Sequence, residues 1–246
     1  MEEGIHVAIA AEKLGELFGI PITNTLVTTW IVIALLVSLA LFVRGRLEMV
    51  SGRLQTLLEE AFSFVYDYVA EVLESREMAK RFFPLLMTIF LFVFVGNMIH
   101  FLPGIGSIEY MDEPLLRAPS TDLTVPLTLA IISFFVIEIT GIAVIGTWQY
   151  FKKFFDIRSF IGFFVGIVEF IGEFARAFSL AFRLFGNILA GEVIIAVAIF
   201  FAPYLGPVPL MLFEIFIGFL QAAIFALLTL FFIKLAVSEP HGAEAH

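Results

Sequence analysis

Long apolar segments alternate with short polar stretches along most of the chain. Five of them span residues 25–43, 82–102, 123–148, 160–201 and 210–237. A helix needs roughly 20 apolar residues to cross a hydrocarbon core of about 30 Å, so the pattern predicts five membrane-crossing helices. The fourth segment, with about 42 residues, would extend roughly 63 Å as a helix and must therefore tilt strongly or bend.

Residues 47–73 follow a different pattern. Apolar residues such as Leu54, Leu58 and Val65 recur at helical spacing, while Glu59 and Glu71 occupy other positions. This arrangement is typical of an amphipathic helix, which has one apolar face. We expect it to lie on the membrane surface or against other helices, and not to cross the membrane.

The distribution of basic residues predicts the orientation in the membrane. Lys and Arg are enriched in cytoplasmic loops. Residues 109–122 contain four acids and a single basic residue, Arg117, which favours an outer position for that loop. Five crossings then leave residues 1–24 outside and the C-terminus in the cytoplasm. The predicted cytoplasmic ends carry Arg44, Arg46, Arg53, Lys80, Arg81, Lys152, Lys153, Arg158 and Lys234.

Composition narrows the class of protein. The 246 residues are 61% hydrophobic and 15% charged, which indicates an all-α membrane protein forming a single integral membrane domain. The chain has no cysteine, so it offers neither a disulfide framework nor a thiolate metal site. A net charge of −9 argues against nucleic acid as a partner. We predict no cofactor, no metal site and no catalysis by the chain alone, and a bacterial inner membrane as its location.

Arg183 is a cation inside the apolar run of residues 177–190. A charge near the bilayer centre costs about 3 kcal/mol on insertion scales, and such residues usually face a partner or a water-filled cavity. Guanidinium cannot avoid this cost by losing its proton. The alternative is an arginine close to the membrane edge whose long side chain reaches the interface.

Other polar residues are arranged around Arg183. At about 100° per residue, five polar residues of the fourth crossing fall within an arc of roughly 80° and so form one stripe. Glu192, on the same helix, points about 140° away from this stripe. In the last crossing, Glu214 and Gln221 share a face. Glu138 lies within the third crossing and His100 at the outer end of the second. The stripe consists of Glu169, Glu173, Arg176, Arg183 and Asn187.

The order of these groups along the membrane normal suggests a proton path. Carboxylates and imidazole can pass protons, whereas arginine cannot. Acids on both sides of one permanent cation predict two offset aqueous half-channels separated by an electrostatic barrier. The alternative is a set of structural ion pairs, of which Glu173 with Arg176 at i, i+3 is the first candidate. The inner group is Glu138, Glu169 and Glu173, and the outer group is Glu192, Glu214 and His100.

The run of residues 179–192 resembles the signature of subunit a of F-type ATP synthases. The resemblance extends to residues 220–229, to residues 119–124 and to Gly96-Asn97. It implies a stator subunit whose partners are the c-subunit ring and the peripheral-stalk b subunits. It also implies that Arg183 faces the proton-binding carboxylate of the ring. The matching outer-path residues are Asn187, Glu192, Glu214 and Gln221.

The chain departs from this family pattern in two respects. Some bacterial members pair an acid with a histidine where this chain has Glu192 and Glu214. His100 stands where some relatives have aspartate. We predict that Glu192 and Glu214 line one water-filled cavity on the outer side and share a proton, and that exit to the cytoplasm depends more on Glu169 than on Glu173.

The residues thus predict a proton-conducting stator subunit, and two other functions stay open. A self-contained secondary transporter would favour an internal repeat and broken helices around a midplane site, and the sequence has no such repeat. A scaffold or assembly protein would use its intramembrane charges for pairing alone.

Overall fold

The computed structural model describes residues 11–17, 19–45, 52–101, 109–110, 113–154 and 160–238 of the 246. Most of the described chain is helical. Two pairs of short strands and two 3-10 turns, Ile99–Phe101 and Pro119–Thr121, lie between the helices. In chain order the strands and helices are β1 Lys13–Leu17, β2 Ile20–Thr23, α1 Asn24–Gly45, α2 Arg53–Leu73, α3 Arg76–Met98, β3 Glu109–Tyr110, β4 Glu113–Pro114, α4 Thr124–Ile145, α5 Thr147–Phe154, α6 Phe160–Phe201 and α7 Pro207–Val237.

The five helices α1, α3, α4, α6 and α7 are each long and apolar enough to cross a membrane. They confirm the predicted all-α membrane fold with five crossings, and the chain is a multi-pass integral membrane protein. Helix α6 is continuous over 42 residues. At about 1.5 Å per residue it is about twice as long as a perpendicular crossing requires, so it must tilt strongly or bend within the membrane.

The third crossing ends earlier than the predicted residue 148. Helix α4 stops at Ile145, and Gly146 adopts φ 93°. A positive φ is readily available to glycine and reverses the chain direction at a helix end. The short helix α5 therefore turns back along the bundle instead of extending α4.

Helix α2 is the predicted amphipathic helix, and it packs on other helices. Its described part begins at Arg53, while residues 46–51 lie outside the described residues. Its apolar face, including Val69 and Leu73, is buried against α3 and α7. It ends at Glu74, whose φ is 53°, and a hydrogen bond from the Met78 amide to Ser75 Oγ (3.3 Å) caps α3.

The main core joins α3, α4, α6 and α7. Its most buried members include Leu184 on α6 and Phe225 on α7, neither of which has any exposed surface. Ile89 and Val93 of α3 and Ala130 of α4 belong to the same cluster. This packing fixes the rotation of α6 about its own axis, and so decides which of its polar residues face inward.

The N-terminal end of α1 is held by an N-terminal hairpin and by residues 113–123. Strand β1 pairs with β2 in antiparallel fashion, a structure that the sequence pattern did not predict. Asn24 Nδ2 donates hydrogen bonds to Glu12 Oε2 (3.1 Å) and to the Pro114 carbonyl (3.3 Å). Thr25 Oγ1 donates to Asp122 Oδ2 at 3.2 Å. The loop that follows α3 is thereby anchored over the start of α1.

Candidate functional site

The acids assigned to the inner half-channel share one cavity. It has a volume of about 410 Å³, lies between α4, α6 and α7, and is lined by Glu138, Glu169, Glu173 and Arg176. Arg176 Nη2 lies 3.7 Å from Glu173 Oε1, which confirms the expected i, i+3 contact. The Arg176 guanidinium also lies over the Phe232 ring, 5.3 Å from its centroid. Three acids and the Arg176 guanidinium therefore line one cavity whose other walls are mostly apolar.

Tyr150 contacts one of the cavity acids, and sequence reasoning missed it. Because α5 turns back at Gly146, the Tyr150 hydroxyl donates a hydrogen bond to Glu138 Oε2 at 2.9 Å. Its ring lies so close to Gly141 that a Cβ there would overlap it. Burial raises the pKa of the Tyr150 phenol well above its usual range, and the bond to Glu138 raises it further. The hydroxyl therefore stays protonated, and it gives Glu138 a donor that its place within an apolar crossing did not suggest.

Arg183 lies on the exposed face of α6, near the middle of the helix. Within the described part of the chain its side chain makes no hydrogen bond and no ion pair. Leu180 and Leu184, on the opposite side of the helix, are buried in the core. Along the helix axis Arg183 is about 27 Å from the C-terminal end of α6, which does not suit an arginine that simply reaches the membrane interface. Intramembrane cations usually face a partner or a water-filled cavity.

The outer polar residues meet where α6, α7 and α3 come together. Asn187 Nδ2, one helical turn beyond Arg183, donates a hydrogen bond to Gln221 Oε1 of α7 at 2.8 Å. Asn97 Nδ2 of α3 donates to the Gly218 carbonyl of α7 at 3.4 Å. Ser120 Oγ donates to Asn97 Oδ1 at 2.8 Å. Motifs that are far apart in the sequence thus form one polar layer.

Glu214 is buried at the crossing of α6 and α7, with 6% of its surface exposed. Its carboxyl fills the space beside Gly191, where any Cβ would overlap it. Gly191 precedes Glu192 in α6, so the crossing brings the two acid positions together. The shared water-filled cavity stays a prediction, and the side chain of His100 lies outside the described part of the chain.

Arg117 is the second residue that sequence reasoning missed. It looked like a single basic residue in an acidic outer loop, but its side chain is only 7% exposed. Its Nη2 atom lies 3.3 Å from Glu192 Oε2. No sequence pattern connects these residues, which are 75 positions apart. One feature of the sequence could have identified Arg117 as a site residue, namely its place two residues before the Pro119-Ser-Thr-Asp motif.

Comparison with known proteins identifies the family. Residues 26–234 match the family model described as ATP synthase A chain. ATP synthase subunit a of Gloeobacter violaceus is 35% identical over 88% of this chain and 84% of its own length. The sodium ion specific ATP synthase subunit a of Propionigenium modestum is 30% identical over 99% of this chain and 84% of its own length. The chain therefore belongs to the ATP synthase subunit a family and is a membrane stator subunit of an F-type ATP synthase.

Proposed function

We propose that this subunit conducts protons through two offset half-channels that meet a rotating c ring at Arg183. The observation that carries the proposal is the position of Arg183. It is exposed on α6 between the cavity acids on one side and the Asn187–Gln221 hydrogen bond on the other. A ring of helices against this face would supply the partner that an intramembrane cation calls for.

The outer half-channel takes up protons from the outside. The path passes Glu214 and Glu192 near the crossing of α6 and α7, and the amides of Asn187 and Gln221 line the last step toward the ring. His100, at the outer end of α3, is assigned to the mouth of this path. The Asn187–Gln221 contact supports this order because it lies within one helical turn of Arg183.

Arg183 separates the two half-channels. A ring carboxylate crosses lipid in its neutral form, and after it loses its proton it is attracted to the guanidinium. The fixed positive charge of Arg183 also repels a hydronium ion that would pass directly between the half-channels. Protons must therefore travel around with the ring, which couples their flow to rotation.

The inner half-channel releases protons to the cytoplasm through the cavity lined by Glu138, Glu169 and Glu173. Glu173 is 9% exposed and has Arg176 beside it, whereas Glu169 is more open. The pairing supports Glu169 as the main exit residue, with Arg176 a structural charge. Tyr150 holds Glu138 in place at the wall of the cavity.

Accessibility to a thiol reagent tests the inner path. In this cysteine-free chain, we expect a cysteine at residue 169 to react with a membrane-impermeant reagent added from the cytoplasmic side, and not from the outside. A cysteine at residue 173 reacts more slowly because the position is buried. Leu184→Cys, fully buried in the core, is the matched control and stays unlabelled. Protection at residue 169 would remove it from the exit path.

The subunit works as part of the ATP synthase, and we assign it no catalytic step of its own. Its proposed neighbours are the c ring and the peripheral-stalk b subunits, in a bacterial inner membrane with the N-terminus outside. Family membership does not favour the self-contained transporter. A scaffold role predicts no proton flux when the subunit is reconstituted with a ring, whereas our proposal predicts flux.

A further inference from the structure

We propose that Arg117 is a fixed counter-charge for Glu192, so that Glu214, which has none, is the outer acid that binds and releases the transported proton. The inference rests on the outer half-channel proposed above and assigns different tasks to its two acids. Glu192 and Arg117 position and polarise the path, whereas Glu214 carries the proton. This replaces the sequence-based expectation that Glu192 and Glu214 share a proton as equivalents.

The ion pair has the geometry of a permanent contact. Arg117 Nη2 and Glu192 Oε2 are 3.3 Å apart, and the arginine is almost fully buried. Guanidinium keeps its proton in proteins, so its charge is always present. In a buried site this charge acts on a contacting carboxylate more strongly than it would in water. Glu192 therefore has a fixed counter-charge.

The backbone around Arg117 is held in place from several sides. The Arg117 amide donates a hydrogen bond to Thr28 Oγ1 of α1 at 3.1 Å. Ala118, the next residue, has no exposed surface, and Thr121 Oγ1 donates to its carbonyl at 2.7 Å. The Ser120 hydroxyl donates a hydrogen bond to the side chain of Asn97 in α3. The guanidinium is thus fixed against α6 and cannot follow a moving proton.

Glu214 has different surroundings. Of the side chains that the structure describes, three elements place charged ones near this crossing: Arg117 comes from residues 113–123, Glu192 from α6 and Glu214 from α7. From α3, Asn97 contributes an uncharged amide. Among the described residues Glu214 Oε2 is buried with no hydrogen-bond partner, and no cation contacts its carboxyl. A group that passes protons must exist in both forms, and of the two acids Glu214 is the one without a fixed counter-charge.

The test uses the complete ATP synthase in vesicles, with ATP synthesis driven by a proton gradient and measured over a series of external pH values. In Arg117→Gln, Glu192 loses its counter-charge, so the outer acids hold protons more tightly. We expect the pH of the half-maximal rate to move upward by about one unit. Arg117→Lys keeps a cation and should keep the midpoint near that of the parent. A merely structural role would lower the rate at every pH without moving the midpoint.

A double variant covers the possibility that Arg117→Gln does not assemble. Arg117→Gln with Glu192→Gln removes both charges of the pair, so neither is left without its partner, and assembly and rate should recover relative to either single variant. An unmoved midpoint in assembled Arg117→Gln, or a double variant no better than the worse single one, would overturn the inference. If Glu214→Gln synthesised ATP at the parent rate, the proposed outer path itself would fail, and the two failures are thereby distinguished.

Discussion

Replacing Arg183 by alanine abolishes proton-driven ATP synthesis while the complex still assembles. Arg183 is exposed and makes no hydrogen bond or ion pair within the described part of the chain, so its loss should leave the packing of α6 intact. Without the cation, a ring carboxylate has no partner when it loses its proton, and the barrier between the half-channels disappears. We expect synthesis to fall to background and passive proton leak to rise. ATP synthesis and vesicle acidification measure the two effects.

Arg183→Lys should also fail, because an ammonium differs from guanidinium in reach and donor geometry and can lose its charge when buried. The matched control is Arg76→Ala. Arg76 lies 3.9 Å from Asp67 with both side chains mostly exposed, and such surface pairs contribute little. This variant should retain synthesis. Parent-level synthesis in a fully assembled Arg183→Ala complex would disprove the role of Arg183.

Glu214→Gln is expected to slow proton-driven synthesis by about tenfold or more, because an amide cannot take over a general acid–base step worth roughly 10²–10⁴-fold. Glutamine has nearly the same shape as glutamate, so it fits the space beside Gly191 that admits no extra Cβ. Assembly should therefore be preserved. Glu192→Gln should slow turnover as well, and to a smaller degree.

The control for this change is Glu59→Gln on the exposed face of α2, which should leave the rate unaltered. ATP hydrolysis by the detached soluble sector should be the same in all three variants. Parent-level synthesis in assembled Glu214→Gln would remove Glu214 from the proton path, whereas loss of assembly would point to a packing role.

The helices could be predicted because their causes are local. The length of each apolar run determines whether it crosses a membrane, and α6 keeps its full predicted extent. Gly146 ended α4 early because glycine accepts a positive φ, which hydropathy does not register. The β1–β2 hairpin was missed because strands of only five and four residues give little periodic signal.

The features of the site that depend on a single helix could be predicted from the sequence. The polar face of α7 and the polar stripe of α6 follow from helical geometry. The residues of the stripe nevertheless have different surroundings. An arc of about 80° is wide enough for Glu173 to face the cavity while Arg183 lies on the exposed face of α6. The contacts of Arg117 and Tyr150 depend on how loops and α5 fold over the bundle, and no helical spacing specifies them.

Disulfide cross-linking between α6 and the ring tests most directly whether Arg183 faces the rotor. Ser179 lies one turn before Arg183 on the exposed face of α6, and Leu184 lies on the buried face. Each is changed to cysteine in turn, in a complex whose c subunits carry one cysteine beside the proton-binding carboxylate. Our account predicts a cross-link from residue 179 and none from residue 184. A cross-link from residue 184 alone, or none from residue 179 in an assembled and active complex, would contradict it.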